Sequence, residues 1–75
     1  MNCVIKINVF DKVRYLKYDD KNKNFPYMLY PDITKASTFE TKAEAEKMIK
    51  KYKKEAGTFL NETLEIEVLK NEEEN

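Results

Sequence analysis

The stretch "TKAEAEKMIKKYKKEAG", residues 41–57, decides the fold. Thr41 suits the N-cap position and Glu44 stands three residues later, the reciprocal spacing that satisfies two orphaned backbone donors at a helix start. Ala45, Met48, Ile49, Tyr52 and Ala56 follow at helical spacing and define one apolar stripe. Gly57 supplies a left-handed stop. Acids lie in the first turns and Lys50, Lys51, Lys53 and Lys54 in the last, as the helix dipole favours, so helix stability alone accounts for much of the basic cluster. A helix apolar on one side needs a surface to cover.

The flanking segments read as that surface. Downstream, "TFLNETLEIEVLK" alternates Leu64, Ile66 and Val68 with Glu65 and Glu67, a strand with one core face and one acidic face. Upstream, "CVIKINVF" places Cys3, Ile5, Ile7 and Val9 on one face and Val4, Lys6, Asn8 and Phe10 on the other. A short connection at Asp11 and Lys12, without the usual Gly, leads to "VRYLKY", where Val13, Tyr15 and Lys17 alternate with Arg14, Leu16 and Tyr18. "DDKNKN", residues 19–24, is polar and rich in turn formers, and reads as an exposed loop.

Between the loop and the helix stands "NFPYMLYPD", residues 24–32. Pro26 and Pro31 cannot donate to a strand ladder, which disfavours a central strand here, whereas an edge strand between them is allowed. It would present Tyr27 and Leu29 to one side, and Met28 and Tyr30 to the other. One pair can face the core; the other is left for the open face, a dimer contact or a recognition patch, where aromatic and Met side chains make adaptable contacts.

The expected architecture is α+β, a small antiparallel sheet of three to four strands in ββ(β)αβ order with one helix packed on one face. Residues 1–70 form the single domain, and "NEEEN", residues 71–75, reads as a disordered acidic tail. If the last strand pairs with the first, Lys6 and Arg14 can meet Glu65 and Glu67 on the open face. A core in 75 residues yields on the order of 3–5 kcal/mol of net stability, which keeps a homodimer in view.

Composition narrows the chemistry. Cys3 is the only cysteine and histidine is absent, which removes an intramolecular disulfide, a Cys/His zinc site and the commonest general base. Ser37, Thr38 and Cys3 therefore lack an imidazole to activate them, and a single Gly makes a phosphate-cradling loop hard to build. Asp19 and Asp20 are adjacent carboxylates without the further ligands that Mg or Ca requires. The expectation is a protein without enzymatic activity, cofactor or metal. No apolar run reaches the length of a membrane span, and "MNCVIKINVF" lacks the layout of a signal peptide, so a soluble cytoplasmic protein is expected.

The zero net charge conceals a division along the chain. Residues 1–54 carry a surplus of six positive charges and residues 55–75 a surplus of six negative ones. Pairing of the acidic strand beside a basic one would cancel much of this in space.

In "KASTFETKAEAEKMIKKYKK", residues 35–54, Ala36, Phe39, Thr41, Glu44 and Ala45 form an Ala-x-x-Phe strand end leading into a Lys/Glu/Ala-rich helix. This quarter of the chain resembles small accessory proteins of bacterial viruses and mobile elements. The resemblance implies an inhibitor of a host defence system, of the anti-CRISPR kind, acting inside a bacterial cell. Such proteins share no active-site motif, so the resemblance assigns no residue a role.

Two binding readings follow. In the first, an inhibitor contacts a host protein, for example a nucleic-acid-handling defence nuclease, through Phe25, Tyr27, Met28 and Tyr30, with Glu62, Glu65 and Glu67 meeting its basic surface. In the second, Lys21, Lys23, Lys47, Lys50, Lys51 and Lys54 meet the phosphates of a nucleic acid while a tyrosine stacks on a base. The neutral total and the acids threaded through the helix count against the second. A nucleotide-signal sponge at a dimer interface is a third option that no motif supports.

Overall fold

The computed structural model describes residues 2–57 and 62–69. Four strands, β1 (Asn2–Val9), β2 (Lys12–Tyr18), β3 (Tyr27–Tyr30) and β4 (Glu62–Leu69), accompany one helix, α1 (Lys42–Ala56), and a 3-10 turn at Ile33–Lys35. The sheet is antiparallel throughout, in the order β3-β2-β1-β4. The expected α+β fold is present, and the segment between the prolines is a true strand. The expected acidic tail, residues 71–75, lies outside the described residues.

Directly opposed residues of an antiparallel pair share a face, so the register sorts the side chains. Ile5, Ile7, Leu16 and Tyr27 are buried against Ala45 and Tyr52 of α1, with Leu29, Met48, Ile49, Leu64 and Ile66 packed around them. The helix lies over β1 and β4. Met28 and Tyr30 occupy the opposite face, together with Lys6, Tyr15 and Glu65.

Three local expectations need correction. The β1–β2 turn is Phe10-Asp11 rather than Asp11-Lys12: both residues have positive φ, 51° and 67°, and Val9 pairs directly with Lys12. This is the left-handed two-residue loop that matches strand twist, built here without Gly. Phe10 therefore leaves the strand and is 62% exposed. Arg14 stands opposite Ile7 on the helix-side face and so does not join Glu65 and Glu67, whereas Lys6 does stand opposite Glu65. At the helix start, the Thr41 hydroxyl accepts from the Glu44 N–H at 3.2 Å, but the Glu44 carboxylate accepts from the Glu40 N–H at 3.0 Å, one residue before the cap.

At the other end Gly57 has φ 78° and ψ −175°, a region that only glycine enters readily, and it redirects the chain beyond α1.

Beyond Tyr15 the first two strands diverge, and residues 36–39 fill the gap. Cys3 and Phe39 exchange two backbone hydrogen bonds of 2.8 Å on the β1 side. On the β2 side the Ser37 N–H donates to the Leu16 carbonyl at 3.0 Å, and the Ser37 hydroxyl accepts from the Tyr18 N–H at 2.8 Å. This wedge delivers the chain to Thr41 and so fixes where the helix starts. Among the described residues no helix is long and apolar enough to cross a membrane.

Candidate protein-binding groove

Where β3 meets the last turn of α1, three tyrosines converge. The Tyr27 ring packs 5.2 Å from Tyr18 and 5.4 Å from Tyr52, the latter edge-on. Such aromatic pairs prefer these tilted arrangements to a stacked sandwich. Each buried hydroxyl is matched to an acid: Tyr27 donates to Glu55, and Tyr52 donates to Glu62 at 3.2 Å. Burial first, then the adjacent carboxylate, raises the Tyr27 hydroxyl well above its ordinary range and pushes Tyr52 up to about 12. Lys51 closes the cluster from outside. Its ammonium donates to the Tyr18 hydroxyl at 2.9 Å and lies 4.5 Å from that ring's centre, and the hydrogen bond raises its pKa.

Beside this cluster runs a groove of about 680 Å³, lined by residues 23–29 together with Tyr52, Glu55 and Ala56. Consecutive residues of β3 line it whichever face they point to. The groove therefore follows the strand's outer edge, between that edge and the end of the helix. Its size falls in the range of ligand-binding clefts. Phe25 stands at its mouth, 70% exposed, and Met28 is 38% exposed. The loop that carries Phe25 is set by side chains: Asp19 accepts from the Lys21 N–H at 3.1 Å, and Asn22 accepts from the Phe25 N–H at 3.1 Å.

Of the residues expected to form a protein contact, Phe25, Tyr27 and Met28 line the groove. Tyr27 does so as a core residue, 9% exposed, so it supports the surface more than it offers itself. Tyr30 lies on the open face, its hydroxyl 3.5 Å from the Met28 sulfur and its ring 5.7 Å from the Lys35 ammonium. The acids do not join them. Glu65 and Glu67 share the open face but stand on β4, at the far side of the sheet, about 14 Å away at normal strand spacing. Glu62 is on the helix side, bound to Tyr52, and its Oε2 is buried without a hydrogen-bond partner among the described residues.

Lys23 lines the groove, and Lys21 lies in the same loop. Lys47, Lys50 and Lys54 are exposed on α1, whereas Lys51 is engaged on Tyr18. Leu29, Glu55 and Ala56 were not anticipated as site residues. The i, i+3, i+4 spacing of Tyr52, Glu55 and Ala56 does put them on one helix face, but only the fold brings that face to β3. Among the described residues no group of three His, Cys, Asp or Glu could hold a metal ion.

Comparison with protein-family models, with curated proteins and with solved structures finds no match. What this surface can bind follows from its own geometry.

Proposed function

We propose that this protein is a non-enzymatic binding protein that engages a protein partner through the groove beside β3. The observation that carries this reading is the coincidence of an apolar groove with two exposed large side chains, Phe25 and Met28, whereas the other strongly exposed ring, Phe10, stands apart at the β1–β2 turn. Exposed apolar side chains beside a concave surface are the usual anchors of protein recognition. The separation of Glu65 and Glu67 from the groove makes the acidic face a distinct surface, available to steer a basic partner rather than to seat it. That the partner belongs to a bacterial defence system rests on the resemblance of residues 35–54 alone. The lysine reading is weaker, because Lys51 is committed to Tyr18.

The test is affinity capture from nuclease-treated bacterial lysate with the native chain and a Phe25→Ala/Met28→Ala variant. Capture of a stoichiometric protein by the native chain only, with equal thermal midpoints, supports the proposal. Equal capture by both chains, or recovery of nucleic acid alone without nuclease, overturns it.

A further inference from the structure

We infer that the groove takes an extended segment of the partner as a fifth, antiparallel strand added to the outer edge of β3. The inference rests on the protein-binding reading above and specifies its mode. Its basis is the direction of the backbone groups. The Asp19 N–H donates to the Pro26 carbonyl at 2.8 Å, and the register continues through Tyr18 opposite Tyr27 to Tyr15 opposite Tyr30. Hydrogen-bonded and non-bonded pairs alternate along an antiparallel ladder, so Met28 and Tyr30 turn their N–H and C=O groups inward, and Tyr27 and Leu29 turn theirs outward. The partner residues on β2 agree: the Leu16 carbonyl and the Tyr18 N–H point away from β3, to Ser37. Two donors and two acceptors are thus presented along the groove. Pro31 ends the row on one side, and the Phe25 N–H, already given to Asn22, ends it on the other.

The two edges of the sheet differ in how they are guarded. β4 carries Glu65 and Glu67, acids that oppose edge-to-edge pairing with a like strand. β3, "YMLY", carries no charge. A second copy of this chain fits the β3 edge poorly. Two-fold pairing about Met28 would set Tyr27 opposite Leu29, and both side chains are already packed in their own core, which leaves the groove unfilled.

A foreign strand fills it. Its residue opposite Leu29 projects on the helix side and calls for an apolar side chain. Two residues further on, opposite Tyr27, its side chain comes beside Glu55 at the negative end of the α1 dipole, which calls for Lys or Arg. Lys23, further along the groove in the same direction, favours an acid toward the segment's C-terminal end. The occupant is therefore an extended apolar-x-basic segment of another protein, held by main-chain bonds and selected by alternate side chains.

The test uses a displayed library of random heptapeptides, with the most enriched sequence made as a synthetic peptide and studied by amide exchange on the full chain. Expected are an enriched apolar-x-basic pattern and exchange slowed by about tenfold or more at the Tyr27 and Leu29 amides on binding. N-methylation of the peptide at the residue opposite Tyr27 should weaken binding by about tenfold, with the protein itself unaltered. A peptide that binds, is lost with Phe25→Ala, yet leaves both amides unprotected and tolerates N-methylation would overturn strand addition while the groove reading stands. Absence of any enriched peptide overturns both. Amides already protected in the free chain, with a dimer mass by light scattering, would assign the edge to a second copy and overturn the inference.

Discussion

The Tyr27 hydroxyl donates to the Glu55 carboxylate across the gap between the edge strand and the last turn of the helix. This one bond ties the shortest strand to α1 at the point where the groove opens. Tyr27→Phe keeps the ring contacts with Tyr18 and Tyr52 and loses only the bond, so a loss of about 1 kcal/mol is expected in chemical denaturation. Tyr27→Ala also removes a core ring, and a loss of about 3 kcal/mol or more is expected. A Phe25→Ala chain, changed at an exposed site, should melt like the native chain.

Alkali should unfold this protein early. Tyr52 is raised from 10.0 to about 12, and Tyr27 is raised as well, each by burial first and a carboxylate second. The folded state therefore holds protons that the unfolded chain releases as pH passes the ordinary tyrosine value. The stabilisation is complete below that value and is lost as pH climbs through the folded pKa values. Melting temperatures should be level up to about pH 9 and fall steeply above about pH 10. The Tyr52→Phe chain should show a shallower fall; an unchanged slope would place the titrating group elsewhere.

Ser37 serves the β2 side of the gap between the first two strands with two bonds, as Phe39 serves the β1 side. Its N–H and hydroxyl satisfy Leu16 and Tyr18 where β2 has parted from β1. Ser37→Ala leaves the half-buried Tyr18 N–H unpaired and should cost about 1–2 kcal/mol. Amide exchange should localise the effect, with Tyr18 speeding up and the Val9 to Lys12 end of the hairpin unchanged.

The hairpin turn leaves room for improvement. Phe10 and Asp11 hold φ of 51° and 67°, which is costly for an exposed phenylalanine. Replacement by Asn-Gly, the pair best suited to this loop, should stabilise the fold by about 1 kcal/mol and raise the melting temperature by roughly 4–8 °C. A lower melting temperature would mean that the Phe10 side chain contributes packing which outweighs its backbone strain.

The parts of this fold legible in the sequence are those written in local spacing. The Thr41 cap, the 45-48-49-52 stripe and Gly57 bound the helix, and the two prolines bound β3 to the residue. Alternation likewise assigned the faces of β1 and β4, and it divided β2 into two sets, but Arg14 falls on the helix side rather than beside Lys6 on the open face. The turn was misplaced because Phe10 carries no turn signal; its conformation is imposed by the strand register on either side. The distance between the acids and the aromatic segment is hidden for a different reason. Alternation already separates Glu62 from Glu65 and Glu67, but treating the acids as one surface overlooked that phase, and only the strand order shows how far β4 lies from Tyr30. The groove and the wedge of residues 36–39 depend on long-range geometry, the reach of the helix end and the divergence of two strands, which no local pattern encodes.

The place of β1 in the sheet has a consequence for how the protein is made. The first described strand lies at the centre, and its half from Asn2 to Ile5 has as neighbours Phe39 and β4, both supplied much later in the chain. While the polypeptide is still emerging from the ribosome, the hydrophobic run Cys3-Val4-Ile5 has no lasting neighbour, and the hairpin with β2 closes only from Val9 back to Lys6. The sheet is therefore completed only once β4 has emerged, and until then this run lacks the strand that covers its edge.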